Sequence, residues 1–282
     1  MSVEATHVSV GPHKISVSVL GDGEPAVVIE PGFGGDAKSW QAFAEALSEH
    51  ARVVTYDRAA YGTSSQAMDR RTARDIALDL HGVLNAIGIE HPVVLVGHSA
   101  GGLYVRAFAA LYPDQVAGMV LVDSSHEAQA QALRGTLPWR IRLFEALSVP
   151  LLIVVPSKVR NGSDRRSILR ELRAFNRMTA ADQALAPGAL GDLPLVVLTR
   201  APRDSSAPPE DWRRWHSLHA ELAELSTNSR HQVTDKPEHY IHKSEPEVVA
   251  AAIRDVLHSA RTHTPLVDLT APPTEPPRTT AG

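Results

Sequence analysis

The apolar residues of the chain fall into short runs that alternate with longer helix-like segments. Each run is five or six residues long, and most are rich in Val, Ile and Leu, which is typical of buried strands. The predicted strands cover residues 15–20, 26–30, 52–57, 93–97, 119–123, 195–199 and 230–234. Apolar residues recur every three or four positions in the predicted helices, at 37–49, 72–87, 101–111 and 245–260. This alternation predicts an α/β protein whose mostly parallel sheet is covered by helices on both faces.

One long segment, residues 127–191, interrupts this alternation. It contains helix-like apolar spacing, as at Leu133, Trp139 and Leu143, but no second clear strand. An excursion between two strands of an open α/β sheet lies over the carboxyl edge, where such sheets bind ligands. We therefore predict a core domain at 1–126 and 192–262 and a helical cap insertion at 127–191. Residues 263–282 are rich in Pro and Thr and have no apolar period, so we predict a disordered tail there.

Composition narrows the class of protein. The 282 residues carry a formal net charge of −4, which argues against a nucleic-acid partner. The sequence has no cysteine, and this excludes disulfides, a thiol nucleophile and a cysteine-ligated zinc. No apolar run is long enough to span a membrane, and the first ten residues have no signal-peptide character. We expect a cytoplasmic protein without a membrane span.

The most informative segment joins the predicted strand 93–97 to the predicted helix 101–111 and reads VVLVGHSAGG from residue 93 to residue 102. It contains the pattern Gly-x-Ser-x-Gly, centred on Ser99, in a strand–turn–helix context. Small residues at Gly97 and Gly101 permit a tight turn that lifts the serine hydroxyl above the sheet. The N-terminus of the following helix directs backbone N–H groups toward developing negative charge. The segment predicts that Ser99 is a nucleophile, and residues 97–101 are called the nucleophile turn below.

Because of this turn, the sequence resembles the serine hydrolases of the α/β-hydrolase superfamily, and within them the esterase and lipase-like branch. The resemblance extends from about residue 15 to residue 260. Two other segments carry the resemblance, EPGFGG at 30–35 and YDRAAYGTS at 56–64. Relatives usually have His or Ser at the position of Pro31, and Gly at that of Ala60. The resemblance implies an α/β-hydrolase fold with about eight strands and a helical cap. It also implies an oxyanion hole made by the backbone amides of Phe33 and Ala100.

A serine hydroxyl becomes a good nucleophile only when a base takes its proton, so a histidine must reach Ser99. Of the fourteen histidines, His239 follows the last predicted strand and precedes the last helix, where the superfamily carries its base. His242, three residues later, is the alternative, and we expect His98 to pack within the turn. His216 and His219 lie three residues apart on a helix with no clear third ligand, so we predict surface histidines rather than a metal site.

Two aspartates are candidates for the acid that orients the histidine, given the chain order Ser, acid, His. Asp123 ends the predicted strand 119–123 and would lie beside the nucleophile turn. Asp204 follows the next strand, where many relatives keep their acid, although residues 200–203 depart from the usual Gly-x-x-Asp turn. The sequence favours Asp123 and leaves Asp204 open.

Together these residues predict a serine hydrolase that cleaves a small carboxylic ester through an acyl-enzyme. We expect a small-molecule acyl substrate and neither cofactor nor metal. Hydrolysis of a carbon–carbon, amide or lactone bond, or acyl transfer, is an alternative that uses the same residues. A ligand receptor that keeps the fold without turnover is a third hypothesis. The sequence predicts neither the natural substrate nor the oligomeric state.

Overall fold

A single sheet forms the centre of the computed structural model, which describes residues 5–66, 72–129, 185–203 and 209–267. Within these residues the sheet has eight strands in the order β1-β2-β4-β3-β5-β6-β7-β8. Strand β2 runs antiparallel to β1 and β4, and all other neighbours are parallel. The strands are β1 (Thr6–Val10), β2 (His13–Leu20), β3 (Val27–Glu30), β4 (Val53–Tyr56), β5 (Val93–His98), β6 (Val116–Val122), β7 (Leu195–Thr199) and β8 (Ser229–Val233).

Helices cover both faces of this sheet. They are α1 (Gln41–Leu47), α2 (Ala73–Ala86), α3 (Ala100–Leu111), α4 (Glu210–Ala223), α5 (Ile241–Ser244) and α6 (Pro246–Thr262). Side chains of β5 alternate between two hydrophobic clusters. Leu95 packs with residues of α2 and α3, whereas Val96 packs with residues of α1 and α6. The predicted α/β-hydrolase fold, with a mostly parallel sheet between two helical layers, is confirmed. No helix in the described ranges is long and apolar enough to cross a bilayer.

The sequence did not predict strand β1, and its burial explains why. Most of β1 is exposed, and only Val10 at its end is buried. The strand pairs with β2 at the edge of the sheet, so only one side of its backbone is paired with another strand in the described part of the chain. An edge strand of this kind contains no continuous apolar run, which was the signal that identified the other strands.

The predicted cap and tail extend into parts of the chain that the structure does not describe. Residues 130–184 of the cap and 268–282 of the tail lie outside the described residues, so the cap stays a prediction. Of the five described residues of the predicted tail, Leu266 packs against the core and the other four are exposed. Leu266 contacts the cluster under α6, and its N–H donates to Asn228 Oδ1 at 2.8 Å. Arg230 donates to the carbonyl of Val267 at 3.1 Å.

The parallel strands determine where the candidate site lies. Strands β3, β5, β6, β7 and β8 run in the same direction, so their carboxyl ends share one edge of the sheet. The loops that follow these ends carry Phe33, Ser99, Asp123 and His239. The fold therefore brings the predicted site residues to one edge, which is where open α/β sheets bind ligands.

Strand β2 allows a direct test of the packing. Val17 is 1% exposed and Val19 is 40% exposed on the same strand. We expect Val17→Ala to lower the free energy of unfolding by about 2 kcal/mol, from lost apolar burial and the cavity left behind. Val19→Ala, the matched control, should cost under about 0.5 kcal/mol. Urea denaturation of both variants measures the difference, and equal losses would contradict the described burial.

Candidate active site

Ser99 lies in the turn between β5 and α3, with a backbone conformation that few residues adopt. Its φ of 52° and ψ of −123° cost about 1–3 kcal/mol for a residue other than glycine. The Ser99 N–H donates to the carbonyl of Val122 at 3.1 Å, which ties the turn to β6. A Cβ atom at Gly101 would lie 2.2 Å from the carbonyl oxygen of Glu30, so this position requires glycine. The surrounding packing therefore holds the strained turn.

Asp123 and His239 meet at the same edge of the sheet, although 116 residues separate them in the chain. Asp123 is wholly buried at the end of β6, and its Oδ2 accepts a hydrogen bond from His239 Nδ1 at 2.6 Å. With the proton on Nδ1, the Nε2 atom of a neutral imidazole is free to accept another proton. The His239 side chain is 36% exposed. The other candidate acid, Asp204, lies outside the described residues.

His98 connects the His239 loop to the nucleophile turn. Its Nε2 is 3.0 Å from the carbonyl oxygen of His239, and the two ring centroids are 4.6 Å apart. Because a carbonyl only accepts, Nε2 of His98 carries the proton. Burial lowers the pKa of His98 to about 4, and the charge of a protonated His239 acts in the same direction. A neutral His98, directly before Ser99, therefore holds the backbone of the predicted base.

His242, the alternative base, has different surroundings. It is buried, and its ring stacks on Trp40 with the centroids 3.6 Å apart. Neither ring nitrogen has a hydrogen-bond partner among the described residues. Burial lowers the pKa of His242 to about 3, so the ring stays neutral at ordinary pH. The hydrogen bond to Asp123 therefore favours His239 over His242 as the base.

The carboxylate of Asp123 has two further donors besides His239. Trp215 Nε1 donates to Oδ1 at 2.8 Å, and Arg200 Nη1 donates to Oδ2, the oxygen that His239 also uses. Burial opposes ionisation of this carboxyl group. The His239 hydrogen bond and the positive charge of Arg200 outweigh it and hold the pKa of Asp123 well below its usual range. The carboxylate is therefore ionised at neutral pH.

His219 is buried, so its predicted place on the surface is wrong. Its Nε2 donates to the carbonyl of Ser124 at 2.8 Å, and burial lowers its pKa to about 3. The neutral ring accepts from Thr199 Oγ1 at 2.6 Å through Nδ1, and Thr199 accepts from His231 Nε2 at 2.7 Å. His216 is half-buried beside His231. No three potential ligands within the described ranges are grouped to hold a metal ion.

The glycine-rich loop after β3 approaches the nucleophile turn. A Cβ atom at Gly32 would lie 3.0 Å from Ser99 Cβ. The carbonyl of Gly32 accepts a hydrogen bond from Arg58 Nη2 at 2.9 Å. Because a trans peptide directs its C=O and N–H to opposite sides, the Phe33 N–H points away from Arg58. Ala100 is the first residue of α3, where backbone N–H groups have no partner within the helix.

A buried ion pair holds this loop from the side of β4. Arg58 Nη1 is 2.7 Å from Glu30 Oε1, and both side chains are almost fully buried. Arg58 also donates to the carbonyl of Pro31 at 2.8 Å. The hydroxyl of Tyr56 donates to the other oxygen of Glu30, and burial together with the charge of Glu30 raises the pKa of Tyr56. The loop that carries Phe33 is thereby anchored through its carbonyl groups.

A second buried ion pair joins α3 to the segment after Asp123. Arg106 Nη2 is 2.8 Å from Glu127 Oε1. Arg106 also donates to Ser124 Oγ and to the carbonyl of Ser125, each at 3.1 Å. The Ser125 N–H then donates to the carbonyl of Ser99 at 2.8 Å. The helix that begins at the nucleophile turn and the loop that begins at the acid are therefore held together.

A cavity of 920 Å³ opens beside His239. Its described lining combines the aromatic rings of Trp212, Trp215 and Tyr240 with four charged side chains, those of Arg200, Arg203, Asp211 and Glu238. A concave pocket that combines aromatic side chains with converging polar groups is typical of small-molecule sites.

Comparison with known proteins finds matches to this fold. A family model described as the alpha/beta hydrolase fold matches residues 25–147, which include Phe33, Ser99 and Asp123. The uncharacterized protein YqjL of Bacillus subtilis is 26% identical over 230 residues, which cover 82% of each chain.

Solved structures agree with this match. A thermophilic esterase from Thermogutta terrifontis superposes with a TM-score of 0.67 at 23% identity, covering 91% of this chain and 99% of the esterase. The enol-lactonase from Burkholderia xenovorans superposes with a TM-score of 0.66 at 19% identity, covering 90% of this chain and all of the lactonase chain. The resemblance to the α/β-hydrolase superfamily is confirmed, and the chain is an α/β-hydrolase-fold protein.

Three side chains that contact the candidate site were not predicted from the sequence: Arg58, Arg200 and Trp215. Arg58 lies in the segment 56–64, whose resemblance to the superfamily was a usable signal. Arg200 and Trp215 are 77 and 92 residues from Asp123 along the chain, and no local pattern links them to it.

The buried ion pair of Glu30 and Arg58 under the glycine-rich loop predicts that the effects of two substitutions on stability are not additive. Arg58→Met takes the guanidinium away from the buried negative charge of Glu30 and should lower the free energy of unfolding by about 3–5 kcal/mol. The double variant Glu30→Gln/Arg58→Met removes that charge and keeps an acceptor for Tyr56, so it should recover much of the loss. Urea denaturation of the single variants and the double variant completes the cycle. A double variant as unstable as the sum of the single losses would contradict this account.

Proposed function

We propose that the protein is a serine hydrolase that cleaves a small carboxylic ester, with Ser99 as nucleophile, His239 as base and Asp123 as acid. The observation that carries the proposal is the 2.6 Å hydrogen bond from His239 Nδ1 to the buried Asp123 carboxylate. It leaves Nε2 as the basic atom of His239, in a loop that His98 holds against the nucleophile turn. A serine hydroxyl is activated by this tautomer.

The reaction begins when His239 Nε2 takes the Ser99 proton as the hydroxyl oxygen attacks the acyl carbon of the ester. A new bond joins Ser99 Oγ to that carbon, and the carbonyl oxygen becomes an oxyanion. The backbone N–H groups of Phe33 and Ala100 donate to the oxyanion. The bond to the alcohol oxygen then breaks, and the alcohol leaves with the proton from His239. An acyl-enzyme on Ser99 remains.

Hydrolysis of the acyl-enzyme repeats these steps with water. His239 Nε2 takes a proton from water as the water oxygen attacks the acyl carbon. The bond to Ser99 Oγ breaks, the carboxylic acid leaves, and the proton returns to Ser99. Throughout, the charge of Asp123 stabilises the imidazolium form of His239 and keeps its ring in place. The cycle uses only side chains and backbone amides of this chain.

Two observations support an ester as the bond cleaved. The cavity beside His239 has the aromatic rings of Trp212, Trp215 and Tyr240 among its lining, and these rings suit the apolar part of an acyl or alcohol group. One structural neighbour is named an esterase and another an enol-lactonase. Both names refer to acyl–oxygen bonds, the type of bond that this mechanism breaks.

Removal of the nucleophile tests the proposal. The purified protein should hydrolyse p-nitrophenyl acetate or butyrate, and Ser99→Ala should lower kcat by about 10⁴-fold or more. Ser217→Ala, on the exposed side of α4, is a matched control that should retain activity. Steady release of p-nitrophenol measures turnover, and wild-type rates equal to those of Ser99→Ala would refute the proposal. An initial burst without steady turnover would instead indicate a receptor that uses the same fold.

A second pair of variants separates the two candidate acids. Asp123→Asn keeps the shape of the side chain but allows the wrong tautomer of His239, so kcat should fall by about 10³–10⁴-fold. Asp204→Asn should change kcat by less than about tenfold, because the proposed acid is Asp123. The same ester assay measures both. The assignment fails if Asp204→Asn has the larger effect.

A further inference from the structure

One oxygen of the Asp123 carboxylate accepts hydrogen bonds from two side chains. Oδ2 accepts from His239 Nδ1 at 2.6 Å and also from Arg200 Nη1. We infer that Arg200 is a positioning residue that sets the pH range of the enzyme, because it shares with His239 the negative charge of Asp123. The inference rests on the proposed function, in which His239 must lose its proton before it can activate Ser99.

Arg200 is placed at the acid by the fold of β7. It follows the last residue of β7, next to β6, so its backbone N–H faces Asp123 Oδ1 at 3.5 Å while its side chain reaches Oδ2. The guanidinium lies 5.2 Å from the centroid of the Trp215 ring, and the same indole donates to Asp123. A guanidinium keeps its charge over the whole pH range in which proteins are stable. Asp123 therefore faces the positive charge of Arg200 over this whole pH range, whether or not His239 is protonated.

The other titratable groups around Asp123 and His239 do not supply a cation at Asp123. Burial is the main reason that the pKa values of His98, His219 and His242 are lowered to about 4, 3 and 3, so all three rings are neutral above pH ~5. Lys243 lies over the ring of Tyr240, 5.2 Å from its centroid, and Glu238 lines the cavity. In the described part of the chain, neither of these charges bonds to Asp123. The groups around Asp123 and His239 are His98 from β5, Arg200 and Arg203 from the segment after β7, Asp211, Trp215 and His219 from α4, Glu238 and Tyr240 from the loop after β8, and His242 and Lys243 from α5.

The direction of the effect follows from the charges. A neighbouring carboxylate favours the protonated form of an imidazole, and a neighbouring cation disfavours it. Arg200 offsets part of the attraction between Asp123 and a protonated His239. Without Arg200, the full charge of Asp123 would act on His239, which would then stay protonated to higher pH. A protonated His239 does not accept the Ser99 proton, so activity would begin at higher pH.

The pH profile of kcat/KM tests this role, with p-nitrophenyl acetate as substrate. Arg200 is 30% exposed and lines the cavity, and the circular dichroism spectrum of each variant checks that its replacement keeps the fold. In Arg200→Met, the midpoint of the acid limb should rise by about 0.5–1 pH unit. In Arg200→Lys, which keeps a cation, the midpoint should lie closer to that of the wild type. Arg213→Met removes an exposed positive charge from α4 and is the matched control, with an expected change below about 0.2 pH unit.

Two results would overturn the inference. One is an acid-limb midpoint in Arg200→Met that is unchanged or lower. The other is a fall in kcat at every pH without a shift in the midpoint, because that pattern indicates only a structural role. A histidine titration by NMR, with His239 assigned from its loss in His239→Gln, measures protonation without turnover. The same upward shift is expected there, so the test remains decisive even if the wild-type protein fails to hydrolyse esters.

Discussion

The buried carboxylate of Asp123 is the group around which the carboxyl edge of the sheet is organised. A charge without solvent contact is stable only when donors surround it. Here the donors come from three separate parts of the chain: Arg200 after β7, Trp215 on α4 and His239 in the loop after β8. Each of these elements is held in place partly by its bond to the same side chain. The orientation of His239 therefore follows from how a buried charge is compensated.

A second buried charge lies on the opposite side of Ser99. Glu30 pairs with Arg58, and Arg58 binds the carbonyls of Pro31 and Gly32. The two networks have complementary effects. One holds the imidazole that would take the serine proton, and the other turns a backbone N–H of the glycine-rich loop away from Arg58. Between them, Ser99 keeps a positive φ that only a rigid surrounding structure maintains. Asp123 also has a positive φ, so backbone strain is found at both the predicted acid and the predicted nucleophile.

The strength of each sequence signal depended on burial. The bounds of β7 were predicted to the residue because all five of its side chains are buried and form an unbroken apolar run. Strand β1 was missed because most of it is exposed at an edge. Histidines were harder to place, since His239 and His242 lie only three residues apart in the same short segment. Burial under Trp40 separates His242 from the acid, and no periodicity reports such a contact. The buried position of His219 was missed for the same reason.

The sequence by itself determined the fold class and the turn that holds Ser99. Both depend on interactions within a few residues: the alternation of apolar positions, and the small residues that a tight strand-to-helix turn requires. The tertiary structure decided which carboxylate meets which imidazole and that Arg200 shares the contact. These pairings join residues 77 and 116 positions apart. They arise only when parallel strands place their carboxyl ends side by side, so strand order, which local patterns do not encode, determines them.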